Sequence, residues 1–168
     1  MTSEIVAGGI LTPAPVTPAQ VTLSPVTMAE LMAALPHIRN APRTDAPIAG
    51  LCLRPQRNAR AFPDRLTLTR AEGIPGERWL TAPWSTLPDG APDPGIQVSI
   101  LSVRVLDLIW RDRVGSPHPG DPIVADLDCS LSNLPEASLI QAGTAVLRIS
   151  TRSVSSGRRD MAPMPALS

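Results

Sequence analysis

Twenty prolines spread through 168 residues leave few windows in which a long helix or a wide sheet could run uninterrupted. Proline fixes φ and has no backbone N–H, so each one ends an element or confines it to an edge. Short strands joined by stiff loops are the consequence. The length suits one domain with a true core and is too small for two comfortable ones. Hydrophobic residues make up 43% of the chain, yet aromatics contribute only 2% and tyrosine none. The interior must therefore be built from Val, Ile, Leu and Ala.

Residues 1–26, with prolines at 13, 15, 18 and 25, show no period of 2 or 3.6 and are expected to be a flexible, extended or disordered segment. A short helix comes next: Thr27 caps it, Glu30 completes a capping box, and Met28, Leu31, Met32 and Leu35 form an apolar stripe that Pro36 ends. From Ile48 the pattern turns strand-like. Ile48–Leu53 is an apolar run stopped at Arg54-Pro55, and Arg65–Arg70 alternates with a period of 2. Gly73-Ile74-Pro75-Gly76 is turn chemistry, and 80–95 a proline-broken loop. Gln97–Val105 reads as a strand and Leu106–Trp110 as a helical turn; 115–122 is a loop, and Pro122–Leu127 and Ala145–Ile149 are further short strands, the last after a turn at Gly143. There is no internal repeat. This succession favours a mainly β fold, a barrel or sandwich with few short helices. Residues 27–151 make up the domain, and 152–168 are expected to be an unstructured tail that leaves the barrel open at its C-terminal edge.

Fifteen basic side chains balance fifteen acidic ones. Proteins that grip nucleic acid by its phosphates show a basic surplus or patch, and the arginines from Arg152 to Arg159 are too few to make one, so nucleic acid is not expected as a partner. The two cysteines, Cys52 and Cys129, are in no metal-ligand spacing, and a lone pair of them is no signature of secretion. The opening MTSEIVAGGILTP has no basic start, and glycines and Pro13 break its apolar run. No apolar stretch approaches the roughly 20 residues that span a bilayer. A soluble, cytoplasmic protein without membrane contact is the expectation.

Three ordered groups of residues carry a resemblance to a known family. The first is Arg54-Pro55, then Arg60, then Gly73-Ile74-Pro75-Gly76-Glu77-Arg78-Trp79. The second is Gln97-Val98-Ser99 with Ser102, Val105 and Leu108. The third is Gly120-Asp121, Asp126-Leu127-Asp128, Ser130, Asn133-Leu134-Pro135 and Gly143. Together they resemble the MOSC family, the domain named after the C-terminal part of molybdenum cofactor sulfurases, over about 54 to 150. Glu77 stands where that family usually has Asp, and Cys129 where Leu is commoner. The resemblance implies a MOSC-like β-barrel, binding of the molybdenum cofactor or sulfur handling for it, and a cofactor donor or acceptor protein as partner. It also implies cofactor contacts at Arg54, Arg60, Gly76, Arg78, Asp126, Asp128 and Asn133, and leaves metal ligands unassigned. One departure is large. The family's Gly-Cys, the proposed sulfur carrier or molybdenum ligand, is replaced by Ser155-Ser156-Gly157-Arg158, and the strands expected after about Ile149 have no counterpart, as a truncation or frame slip would produce. Pyridoxal phosphate belongs to a separate domain of larger relatives; all fifteen basic residues here are arginines, so no lysine can form its Schiff base.

The residues themselves allow a functional and a structural role at each position. A sulfur carrier needs a thiolate. Cys52, two residues from Arg54 in an apolar strand, is either that or a small core residue; Cys129 follows Asp128, whose charge disfavours a thiolate. Asp126 and Asp128, two apart, share a strand face and either hold a polar ligand or, with Ser130 and Asn133, tie down a loop. Arg54, Arg60 and Arg78 are the candidate anion contacts, since guanidinium groups bind phosphate and carboxylate bidentately and the cofactor's pterin carries a phosphate. Alternatively they pair with Asp64, Glu72 or Glu77 on the surface. His37 and His118 have no spacing that suggests catalysis or zinc, and no phosphate loop or dinucleotide fingerprint is present. Two functions remain: a stand-alone cofactor-binding or sulfur-handling domain impaired by the missing Cys, or a non-catalytic anion-binding remnant.

Overall fold

A computed structural model describes residues 2–6 and 25–150. In chain order the elements are β1 (Thr2–Val6), α1 (Met28–Arg39), β2 (Ile48–Leu51), β3 (Arg65–Thr69), β4 (Ile100–Ser102), α2 (Val103–Ile109), β5 (Ile123–Ala125), β6 (Leu139–Ala142) and β7 (Ala145–Arg148), with 3₁₀ turns at Arg78–Leu80 and Pro94–Ile96. The strands form three separate sheets: β1 with β3, the order β2-β5-β4, and the hairpin β6-β7.

This overturns the mainly β, barrel-like fold. Among the described residues there are two helices and seven strands in small separate sheets, with no closed barrel, so the chain is mixed α/β. The reason lies in element length. Strands of three to five residues, flanked by Pro47, Pro55 and Pro122, offer too few ladder groups to close a ring. The segment expected to be a long strand is the second cause. Only Ile100–Ser102 of Gln97–Val105 is strand, because Val103, Leu106 and Trp110 stand at helical spacing and wind onto one face of α2. β4 and β5 are parallel, Ile100 opposite Ile123, and α2 lies in the crossover between them.

β5 holds the centre. All three of its residues are buried, and neighbouring side chains along it point to opposite faces. Ile123 joins Ile5, Leu51, Leu66, Leu68, Ile74, Ala142 and Ala145 in one cluster, while Val124 joins Leu106 and Trp110 in another. Leu66 and Leu68 supply the buried half of the expected alternation in β3.

The N-terminal residues correct a second expectation. Within the supposed flexible segment 1–26, Thr2–Val6 is a strand paired antiparallel with β3, Ile5 opposite Leu66, and Ile5 is fully buried. The hairpin turn Gly143-Thr144 anchors it further, since the Thr144 N–H donates to the Glu4 carbonyl (3.1 Å) and the Glu4 N–H to Thr144 Oγ1 (2.8 Å). Residues 7–24 and the tail 152–168, on which the truncation reading falls, lie outside the described residues.

α1 keeps its expected capping box: the Glu30 N–H donates to Thr27 Oγ1 and the Thr27 N–H to Glu30 Oε2. Pro36 does not end it. The helix runs on to Arg39 and buries no residue, leaving Met28 and Met32 exposed. It is pinned by polar contacts instead: Arg111 pairs with Glu30 at 2.9 Å, and Arg104 Nη1 donates to the His37 carbonyl at 2.7 Å. No described helix is long and apolar enough to cross a membrane.

Candidate anion site

The residues after β2 leave the sheet in a short excursion. The Cys52 N–H donates to the Pro122 carbonyl, Leu53 exchanges both backbone bonds with Ala61, and a turn through Asn58, with φ at 63°, reverses the chain between them. Arg54 and Arg60 thus stand on the two arms of one narrow loop. The turn after β3 docks against it. Thr69 and Gly73 pair, Gly73 and Gly76 take positive φ, and the Arg78 N–H donates to the Arg54 carbonyl at 2.9 Å. Glu77 caps the adjoining 3₁₀ turn: one carboxylate oxygen accepts the Trp79 N–H (2.8 Å) and the other the Arg54 Nε–H (2.7 Å). That carboxylate is buried, whereas Arg54 keeps 20% of its side chain exposed.

A third segment, the turn through Gly120, closes on the same loop. The φ of Gly120 is 103°, and a Cβ there would lie 2.8 Å from Arg54 Cδ and 2.9 Å from Arg60 Nε. Only a residue without a side chain lets the 118–121 turn approach both arginines. Arg60 is held by this turn, its Nε donating to the His118 carbonyl (3.0 Å) and Nη2 to that of Pro119 (3.4 Å), with Nη1 on Ala59. Gly73 packs equally tightly on Gln97, whose Nε2 donates to the Arg70 carbonyl. Residues from all three ordered groups therefore meet around one loop.

The donors left over are the chemically useful ones. Arg54 Nη1 and Nη2 and the whole Arg78 guanidinium have no partner among the described residues, although both side chains are partly buried. Gly76 is open, with nothing near the position of an added Cβ. Unspent guanidinium donors of this kind suit an anion with two or more oxygens.

Cys52 lies under this loop, nearly fully buried. Burial pushes its thiol up to about 11; Arg60 and Arg54 pull the other way and are outweighed, while Asp121 and Glu77 reinforce the rise. Cys129 is exposed as a residue, yet partial burial of the thiol, and after it the Asp128 and Asp121 carboxylates, raises it to about 11 as well. Neither is ionised at neutral pH.

Asp126, Asp128 and Asn133 are engaged elsewhere. Asp126 takes a forked contact from Arg104, at 2.6 and 3.1 Å, and the guanidinium holds its carboxyl below the usual range. The Ser130 hydroxyl, and after it the Ser130 N–H, hold the Asp128 carboxyl below its usual range, and Asn133 donates to the carbonyls of Arg43 and Asp128 while accepting from Arg43 Nε. These bonds tie down the loop after β5. Among the described residues no group of three His, Cys, Asp or Glu could hold a metal ion.

Comparisons with protein-family models, curated proteins and solved structures return no match. Three parts of the site are not apparent from the sequence. Glu77, expected as a surface partner, is a buried cap, and Gly120 stands out there only as part of a motif. His118 shows no catalytic spacing, yet a histidine two residues before a glycine is well placed to accept that glycine's N–H.

Proposed function

We propose that the chain is a binding module for a phosphate- or carboxylate-bearing small molecule, held at Arg54 and Arg78. The observation that carries this is the pair of half-buried arginines with unspent guanidinium donors, whose backbones are joined by the Arg78 N–H to Arg54 carbonyl bond. The unpartnered nitrogens are not shut off from solvent, so water serves them in the free protein and the oxygens of an anion would take its place. The resemblance to the MOSC family supplies a candidate ligand, the phosphate of the molybdenum cofactor's pterin. The arginines fit that phosphate. The chain's thiols do not fit the metal end, because Cys52 is buried and its pKa is about 11, so on the order of one molecule in ten thousand carries the thiolate at pH 7. Binding without sulfur transfer is the reading these residues support.

Calorimetric titration of the full chain with inorganic phosphate, and then with molybdenum cofactor released from a molybdoenzyme, tests it. Saturable binding that weakens tenfold or more in Arg78→Ala is expected, since a lost charge-assisted hydrogen bond is worth about 1.5–3 kcal/mol. Absence of saturable phosphate binding, or equal affinity in Arg78→Ala, removes the proposal. Stoichiometric molybdenum lost on Cys52→Ala would restore a metal-ligating role to that thiol.

A further inference from the structure

The 118–121 turn contains a buried group that the anion reading does not use. His118 is 2% exposed, its ring set edge-on between Trp110 (centroids 4.8 Å apart) and Phe62 (5.4 Å). Its Nδ1 accepts the Gly120 N–H at 2.9 Å, which fixes the proton of the neutral ring on Nε2. Nε2 is buried and has no partner. The same residue's carbonyl takes Arg60 Nε, and the next carbonyl takes Arg60 Nη2. The imidazole, the turn and the Arg60 fork are thus linked through consecutive hydrogen bonds.

We propose that His118 is the positioning residue of the anion site: as a neutral imidazole it latches the Gly120 N–H, and the turn so formed packs Gly120 on the side chain of Arg54, one of the two anion contacts, with Arg60 fixed beside it. The proposal rests on the anion-site reading for its consequence and on the turn's geometry for its mechanism. A proton on Nδ1 would set two donors against each other at Gly120, while the Nε2–H stays unpaired as it is in the neutral ring. The charged groups that act on the ring are Asp121, which favours the cation, and Arg60 and Arg113, which oppose it. Burial is the largest influence and keeps the ring neutral to lower pH than a free histidine. Acid therefore opens the latch, and anion affinity falls as the pH falls. A histidine acting only through its charge would do the reverse, tightening the anion when protonated.

Sulfate is the suitable probe, because it stays a dianion over the whole range. Its affinity for the full chain, measured by calorimetry from pH 7.5 to about 4.5, is expected to drop tenfold or more on acidification, after allowance for the unfolded fraction. His118→Asn keeps an acceptor for the N–H two residues on and cannot titrate, so it should bind within about threefold of wild type with a flat pH profile. His118→Phe fills the space without an acceptor and should bind at least tenfold more weakly at every pH. Sulfate affinity that rises on acidification, or a Phe variant equal to wild type, overturns the latch. Exchange of the Arg60 Nε–H with solvent, measured by nitrogen NMR without ligand, keeps the two ideas apart. Slow exchange in wild type and His118→Asn with fast exchange in His118→Phe supports the latch even if sulfate fails to bind and the site reading falls. Equal exchange in all three proteins, or a Phe variant that does not fold while the Asn variant keeps the wild-type pH profile, sinks it.

Discussion

Arg54 Nε donates to a Glu77 carboxylate that is itself almost wholly buried, and the second oxygen of that carboxylate caps the Trp79 N–H. The pair thus joins the loop after β2 to the turn after β3, and the site depends on it. Glu77→Gln keeps the cap but replaces the anion under Arg54 with a neutral group. Breaking a buried pair costs about 3–5 kcal/mol, and with Arg54 partly exposed about 2–3 is the expectation. Glu77→Asp has an arm too short for both bonds and should also destabilise. Urea midpoints of the two variants check this; unchanged midpoints would show that the pair is not a structural joint.

Alkali offers an unusually clean test of the core. The chain has no lysine and no tyrosine, and arginine does not titrate in the relevant range, so between about pH 9 and 11 the side chains that lose protons are the two thiols. Cys52 titrates near 11 when folded and near 9 when unfolded, so the unfolded state releases its proton first. The stabilising contribution is complete below pH 9 and disappears as the pH rises through 11. Cys52→Val should flatten most of that decline, and Cys129→Ser what remains. Thermal midpoints taken every half unit measure it; a decline that persists with both thiols removed would place the sensitive group elsewhere.

Asn133 spends its amide on Arg43 and on the Asp128 carbonyl, all bonds within the loop after β5 and its contact with Arg43. Asn133→Ala should therefore lower stability by about 1–3 kcal/mol through the lost and orphaned bonds, and leave phosphate affinity within about twofold. Paired denaturation and calorimetry decide it. A tenfold loss of affinity at unchanged stability would return Asp128 and Asn133 to the binding site that the resemblance implies.

Local chemistry is legible in the sequence wherever neighbouring residues settle the outcome. The Thr27–Glu30 capping box, the alternation of Leu66 and Leu68 in β3 and the glycine turns at 73–76 and 143 all need only residues a few places apart. The features that escape it depend on partners far along the chain. Val103–Ile109 satisfies both a strand period and a helical one over its first residues, and packing of Leu106 and Trp110 against β5 selects the helix. The barrel expectation fails with that strand. In the site, the arginines and the glycines are visible as types, but not the burial of Glu77 beneath Arg54 or the approach of Gly120 to two arginines. Those contacts arise where loops far apart along the chain meet.

The N-terminal strand is subject to the same limit. Thr2–Val6 has a single apolar side chain on its inner face, so no periodicity marks it, yet that residue, Ile5, fills the space between Leu66, Leu68, Ala142 and Ala145. Its burial closes the β1–β3 sheet against the β6–β7 hairpin, and β6–β7 has no other described strand partner. Ile5→Ala should cost about 2–5 kcal/mol, the range for a fully buried aliphatic side chain whose cavity cannot collapse. Arg65→Ala, which removes the neighbouring exposed ion pair with Glu4, should change stability by at most about 1 kcal/mol. Denaturant unfolding of both variants measures the contrast. If Ile5→Ala proved as mild as Arg65→Ala, β1 would be an appendage of the fold and not part of its core.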